Sequence, residues 1–247
     1  VQDNRLEVSV YAWGQHDECW LLHHEALWGD PDRPGAWDGV DALLDRRYAS
    51  EDGRTRLVVS CAIDTGGHRT QEVYDYVARR NAAGDHRVMA VKGANTADAA
   101  PIASGNRVEG DYRGRRVTGG GQLWIVGTHK IKTTLRRRYA IEQAGPGYFH
   151  MLRMPNDHDG TATHALAAQL LSERPVEKRG ARGGSYRTEW VRVRPSQAAE
   201  AWDCYVYAYA AALRGGIRTV DWATVIGPRP SDRDGTKTPS PAATPQS

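Results

Sequence analysis

Between Gln197 and Leu213 this chain carries only two charges, Glu200 and Asp203, set among Ala, Trp, Tyr, Val, Cys and Leu. A helix apolar on nearly every face is a buried one, so this stretch has to run through the interior of a domain. An unpartnered carboxylate in such a place is costly, and each acid is therefore expected to meet a cation or a metal. A third acid stands in similar company. Asp64 closes the apolar run Leu57-Val58-Val59-Ser60-Cys61-Ala62-Ile63 and is followed at once by Thr65-Gly66-Gly67-His68.

With 247 residues the chain is long enough for one large α/β domain or two small ones with an ample core. Leu6, Val8, Val10 and Ala12 alternate with more polar residues and predict a half-buried strand through Trp13. A turn over 14–18 leads to a second strand, Cys19 to Trp28, and so to a hairpin. Trp37, Val40, Leu44 and Tyr48 recur at helical spacing, and after Gly53 a buried strand is expected to end at Asp64. Thr70 to Arg80 reads as a helix, with Glu72 in its first turn and Arg79 and Arg80 in its last, as the helix dipole prefers. Further elements are a strand at 88–91, a loop-rich stretch from Ala94 to Gly121 and a strand at 122–126. A basic helix over 130–141, a strand over 147–151, a helix over 164–172 and a strand over 187–193 follow. The buried helix comes last, with Ser196 as its expected N-cap and Gly215-Gly216 as its stop. This alternation implies an α/β fold, a mixed sheet flanked by helices, over residues 1–226. From Gly227 the chain is Pro, Ser, Thr, Asp and Gly with almost nothing apolar, and a disordered tail over 227–247 is expected. The chain does not begin with Met and starts abruptly inside what reads as a strand, as a fragment of something longer would.

The formal charge of +3 hides an asymmetry. Up to Asp85 there are 9 Lys and Arg against 16 Asp and Glu, a net of −7; from His86 to Glu200 there are 19 against 10, a net of +9. An acidic half carrying Asp64 and a basic half carrying the cation runs fit a polyanionic substrate approached through metal ions. Solvated helix faces and loops are the competing reading of the same charges. The cations expected to track phosphates are Lys92, Arg113, Arg115, Arg116, Lys130, Lys132, Arg136, Arg137, Lys178, Arg179 and Arg182. Cys19, Cys61 and Cys204 stand singly in apolar contexts without a CxxC pair, as reduced core residues of a cytosolic protein do. No segment reads as a membrane span or a signal peptide.

The chemistry concentrates on the acids. The glycines after Asp64 allow a tight turn that leaves its carboxylate open to a metal, although an Asp capping the next helix is also common. Glu200 and Asp203 are three apart and share one helical face, where a buried ion pair with an Arg is the plainer alternative. Mg²⁺ is satisfied by a few carboxylates with retained waters, and two such ions can clamp the attacking and leaving oxygens of a phosphodiester. His158 and His164, with Asp157 and Asp159, match no strong zinc spacing. The absence of GxxxxGK[ST] argues against ATP hydrolysis, and that of GxSxG against acyl transfer.

Several stretches, in order, carry a resemblance. They are Val1-Gln2-Asp3-Asn4-Arg5-Leu6-Glu7, Tyr11-Ala12-Trp13-Gly14, Ile63-Asp64-Thr65-Gly66-Gly67-His68, Val73-Tyr74 and Val91-Lys92-Gly93. Pro146-Gly147-Tyr148-Phe149-His150, Gln169-Leu170, Ser172-Glu173 and Glu200-Ala201-Trp202-Asp203-Cys204 complete the set. Together they resemble the C-terminal nuclease half of the large terminase subunit of lambda-like tailed phages, across most of residues 1 to 222. The resemblance implies an RNase H-like fold and a divalent-metal-dependent DNA endonuclease, using Mg²⁺ or Mn²⁺ in a two-ion site, that cuts concatemeric viral DNA during packaging. It implies double-stranded DNA, an N-terminal ATPase domain of the same polypeptide, the small terminase subunit and the portal protein as partners, and the host bacterial cytoplasm as the place. Asp64 matches the acid at the end of the strand after the first helix, and Glu200 and Asp203 match the acidic pair of the last helix, Asp203 being the preferred ligand. The family's first catalytic Asp lies on an opening strand directly ahead of the Val-Gln pair, so that strand is expected to be truncated here. Ala199 also stands where the family has Asn. A junction resolvase or transposase-like nuclease of the same fold, and a non-catalytic DNA-binding packaging module lacking that Asp, are the alternative readings.

Overall fold

Alternating residues of Arg5–Trp13 (β1) and Cys19–Trp28 (β2) pair antiparallel, and the register slips between Val10 and Tyr11. This computed structural model describes residues 1–50, 53–107, 122–179 and 186–226. The remaining elements are α1 (Gly35–Asp45), β3 (Tyr48–Ala49), β4 (Thr55–Arg56), β5 (Cys61–Asp64), α2 (Thr70–Ala82), β6 (Val88–Gly93), β7 (Ile102–Arg107) and β8 (Gln122–Val126). They continue with α3 (Thr128–Arg138), β9 (Phe149–His150), α4 (Thr161–Leu170), β10 (Glu173–Arg179), β11 (Tyr186–Arg192), α5 (Glu200–Arg214) and α6 (Trp222–Ile226).

The strands form a mixed α/β architecture, but in two sheets where one was expected. One sheet has the order β1-β2-β9, the other β5-β6-β8-β7, and β3-β4 and β10-β11 are separate hairpins. In the second sheet β5, β6 and β8 are parallel and β7 is antiparallel at the edge. Two apolar layers span both sheets. Beneath lies α5, whose Trp202, Tyr205, Val206 and Tyr209 pack with Cys19 and Leu21 of β2, with Met89 and Val91 of β6, and with Ile131 and Leu135 of α3. Above lie α1 and α2, whose Trp37, Val40, Val73 and Tyr74 cover Leu6 of β1, Val88 and Ala90 of β6 and Leu123 of β8. The two sheets thus occupy one layer between the same two helical covers.

Five local expectations are corrected. The strand ending at Asp64 begins only at Cys61, and Leu57 and Val59 are exposed, at 48% and 75%. Tyr48 lies in the short strand β3 and not on the preceding helix. β7 falls in the stretch read as loop, because an edge strand spelled Ile-Ala-Ser-Gly-Asn-Arg carries little of the β-branched alternation that reveals strands. β10, Glu-Arg-Pro-Val-Glu-Lys-Arg, is a solvated hairpin arm and escapes for the same reason. Ser196 does not cap α5. That helix starts at Glu200, and the Glu200 carboxylate itself accepts the Ala199 N–H at 2.9 Å. The tail over 227–247 lies outside the described residues, as do Arg113, Arg115, Arg116 and Arg182.

Candidate active site

Asp64 is the last residue of β5, and its register partner on β6 is Val91. Val91 packs toward α5, so alternation points Asp64 to that same face. The chain then turns sharply. Gly66 N–H donates to Asp64 Oδ1 at 3.0 Å, and a Cβ on Gly66 would stand 3.2 Å from both carboxylate oxygens. Only glycine lets the backbone approach the acid so closely. Thr65 fixes the turn from below, donating its hydroxyl to Val91 O at 3.0 Å, and Thr70 donates to Thr65 O at 2.9 Å at the start of α2.

Asp203 comes from the first turn of α5, where the helix dipole favours an anion. Its side chain is 49% exposed, but it opens onto a slot between the two sheets and not onto free surface. Surrounding protein therefore raises its pKa above the ordinary aspartate value, opposed by Lys132 and reinforced by the charges of Glu173 and Asp64. Asp64 and Asp203 both line this slot. Tyr207, one turn beyond Asp203, faces both; burial first, then the charges of Asp64 and Asp203, push its phenol up. A Cβ on Gly93 would stand 3.6 Å from the Tyr207 hydroxyl, so the end of β6 closes this side.

Lys132 on α3 holds the other side. Its ammonium donates to Glu173 Oε2 at 2.6 Å and stands 3.5 Å from Asp203 Oδ1, with 12% of the side chain exposed. Trp202 Nε1–H donates to the same Glu173 oxygen at 3.2 Å. Lys132 was expected among the phosphate-tracking cations; it is instead an internal counterion of the acid pair. Sequence reasoning missed Glu173, Tyr207 and this use of Lys132. Helical spacing puts Tyr207 on the face of Asp203, which was the available signal; nothing local marks Glu173.

Glu200 lines the same slot, but its carboxylate is engaged. One oxygen lies 3.7 Å from Arg5 on β1, and the other caps its own helix. Among the described residues no group of three or more His, Cys, Asp or Glu side chains is arranged to hold a metal. Two carboxylates do fit the chemistry of Mg²⁺, which takes one or two and keeps several waters. Asp3 sits in the turn before β1, 69% exposed, beside His68 at 3.8 Å and Arg69 at 3.4 Å. Asp157 is committed elsewhere. It accepts the N–H groups of Ala162 and Thr163 and the Thr163 hydroxyl at the start of α4, and chiefly that hydroxyl holds its pKa down to about 2.

The basic residues divide. Lys92 is exposed one residue past the partner of Asp64, on the opposite face of the sheet by alternation. On α3, Lys130 donates to Asp98 O at 2.6 Å, Arg137 is exposed, and the Arg136 guanidinium lies over Tyr139, 5.9 Å from the ring centroid. Arg138, next in the run, is buried against Asp17 at 2.6 Å and Tyr209 at 3.0 Å. The β10-β11 hairpin leaves the acid pair at Glu173 and carries the exposed Arg179 and half-exposed Lys178, which is 2.5 Å from Glu189. At about 3.3 Å per residue those two cations lie roughly 17–20 Å along the strand from Glu173.

The mixed α/β domain carries one acid at a strand end and another at a helix start, both lining one slot. The comparisons give its family. Residues 1–222 match the family model of the terminase large subunit gpA endonuclease domain, and the chain belongs to that family. It is 30% identical over 214 residues to the large terminase subunit of Escherichia phage lambda, covering 85% of this chain and 30% of the relative. It is 31% identical over 222 residues to that of Enterobacteria phage P21, covering 88% of this chain and 32% of the relative. The chain thus spans about a third of the length of these relatives. No solved structure matches it. Among the described residues no helix is long and apolar enough to cross a membrane.

Proposed function

We propose that this domain is a divalent-metal-dependent DNA endonuclease, RNase H-like in plan, which cuts concatemeric viral DNA as part of a terminase large subunit. What supports this reading is that Asp64 and Asp203, on elements far apart in sequence, both line one slot. Asp64 and Asp203 would hold Mg²⁺ or Mn²⁺, with Glu200 as a more distant acid against β1. Bound there, the ion would supply charge neutralisation at the phosphodiester and activation of water. The protein's own groups prepare the site. Gly66 N–H orients Asp64, Lys132 keeps Asp203 ionised against its burial, and Tyr207 with the end of β6 excludes water from one side. Arg136, Arg137, Lys130, Lys92, Lys178 and Arg179 would track phosphates without reading bases. The ATPase domain, small subunit and portal contacts, and action in the host cytoplasm, belong to the same proposal.

Titration calorimetry with Mn²⁺ tests it. One ion per chain is expected, and binding should be lost in Asp64→Asn and in Asp203→Asn while far-UV circular dichroism is unchanged. Undiminished Mn²⁺ binding by both variants would remove these acids from the site.

A further inference from the structure

β10 is a solvated hairpin arm, along which Arg174, Pro175, Glu177, Lys178 and Arg179 are all exposed. Its first residue is the exception. The Glu173 side chain is mostly withdrawn from solvent, and a carboxylate so placed is costly unless donors or a cation replace its water. One of its oxygens has both. Glu173 Oε2 accepts the Lys132 ammonium at 2.6 Å and Trp202 Nε1–H at 3.2 Å. The two donors stand on different helices, α3 and α5, and Trp202 is fully buried, so the carboxylate is held between fixed walls.

The root of the hairpin is tied to the start of α5 as well. Val193 N–H donates to Ser172 O at 2.8 Å, Gln197 Nε2–H to Ala168 O at 2.5 Å, and Ala201 N–H to Gln169 Oε1 at 3.2 Å. These bonds fix where Glu173 stands relative to the first turn of α5, which carries Asp203.

Lys132 is the group on which Glu173 can act. Its ammonium touches both acids, at 2.6 Å from Glu173 and 3.5 Å from Asp203. Attraction between charges rises as the distance falls, and 3.5 Å is longer than a full hydrogen bond, so Glu173 has the stronger hold. Asp203 keeps a cation close enough to favour its ionised form, yet its carboxylate still opens onto the slot that Asp64 also lines. An uncharged residue at 173 would reverse this balance. Asp203 would become the one ion-pair partner left to Lys132 among the described residues, and the ammonium would close on it. The same positive charge would then repel a dication from that carboxylate. Among the described residues no three acids are grouped to hold an ion, so Glu173 does not join Asp64 and Asp203 as a ligand.

We propose that Glu173 is a positioning residue of the candidate site: it holds the Lys132 ammonium back from Asp203 and so leaves that carboxylate free for a divalent cation. The inference rests on the reading of Asp203 as a metal ligand. Glu173 acts through Lys132 and needs no contact with the ion.

The test uses the 247-residue chain and no catalytic readout. Glu173→Gln keeps the shape of the side chain and removes its charge; it is made alone and together with Lys132→Met. Mn²⁺ affinity is measured by titration calorimetry, and the Asp203 carboxyl signal is followed by carbon-detected NMR without metal. Alone, Glu173→Gln should weaken Mn²⁺ binding at least about tenfold and shift the Asp203 signal. Added to Lys132→Met, it should weaken binding by less than about threefold and leave the signal in place. Glu173→Asp keeps a charge that the flexible Lys132 can follow, and should stay within about threefold of the unaltered chain. Equal weakening with and without Lys132 overturns the proposal, because Glu173 would then act on the ion directly. So does a tenfold loss in Glu173→Asp, and so do unchanged affinity and an unmoved signal in Glu173→Gln, as a purely structural role would give. Asp203→Asn separates this inference from the site reading. If that variant binds Mn²⁺ as well as the unaltered chain, or the chain binds none, the site reading fails and the Asp203 signal alone decides whether Glu173 holds Lys132 back.

Discussion

Replacing Lys132 with methionine removes an ammonium that touches both Glu173 and Asp203 while keeping the aliphatic stem. At the 3.5 Å separation from Asp203, a dielectric of 20 gives an attraction of about 5 kcal/mol. Half of the Asp203 side chain opens onto the slot, and screening there reduces the net effect to about 1–2 kcal/mol. Glu173 is 13% exposed and loses its 2.6 Å partner, keeping only the Trp202 N–H at 3.2 Å; a charged hydrogen bond of this kind contributes about 2 kcal/mol. The variant should therefore be about 2–4 kcal/mol less stable near neutral pH in urea unfolding. The sign with pH follows from the acids. Asp203 already has a raised pKa in the folded state, so folding binds its proton, and stability falls as pH rises through the interval between its unfolded and folded values. Without Lys132 that interval widens upward, and the deficit at pH 7 should exceed that at pH 4. Carbon-detected NMR titration of the Asp203 carboxyl should show its midpoint moved up. An unmoved midpoint, or equal deficits at pH 4 and pH 7, would refute the counterion role. Because Lys132 is internal, the salt dependence of DNA binding should be unchanged.

Arg136→Ala with Arg137→Ala should weaken binding to any duplex and reduce the slope of log K against log salt by about 2; fluorescence anisotropy across a salt series measures it. Asp85, bonded to both Arg80 and Arg87 and held far below the usual carboxylate range chiefly by Arg87, contributes stability that is complete above its unfolded pKa and is lost as pH falls toward its folded one. Asp85→Asn should cost about 2 kcal/mol at pH 7 and flatten the acid limb of a thermal-melt series.

What could be read in the sequence was whatever is periodic. α5 declared itself because a buried helix has no polar face, and β6 and β8 because each holds an unbroken apolar run, Val88 to Val91 and Leu123 to Val126. Asp64 and Asp203 stood out for the same reason, as charges in apolar company, and both line the slot between the sheets. The partners of those acids were hidden because tertiary structure chooses them. Lys132 sits in a run of cations on an amphipathic helix, where periodicity gives a face but not its neighbour. Arg138, six residues on in that run, points into the core to meet Asp17, 121 residues away in sequence. Glu173 opens a hairpin whose residues alternate neither in polarity nor in size. Glu200 shows the limit from the other side. Its spacing of three from Asp203 guarantees a shared helical face, yet Arg5 on β1 and the free N–H of Ala199 take its carboxylate.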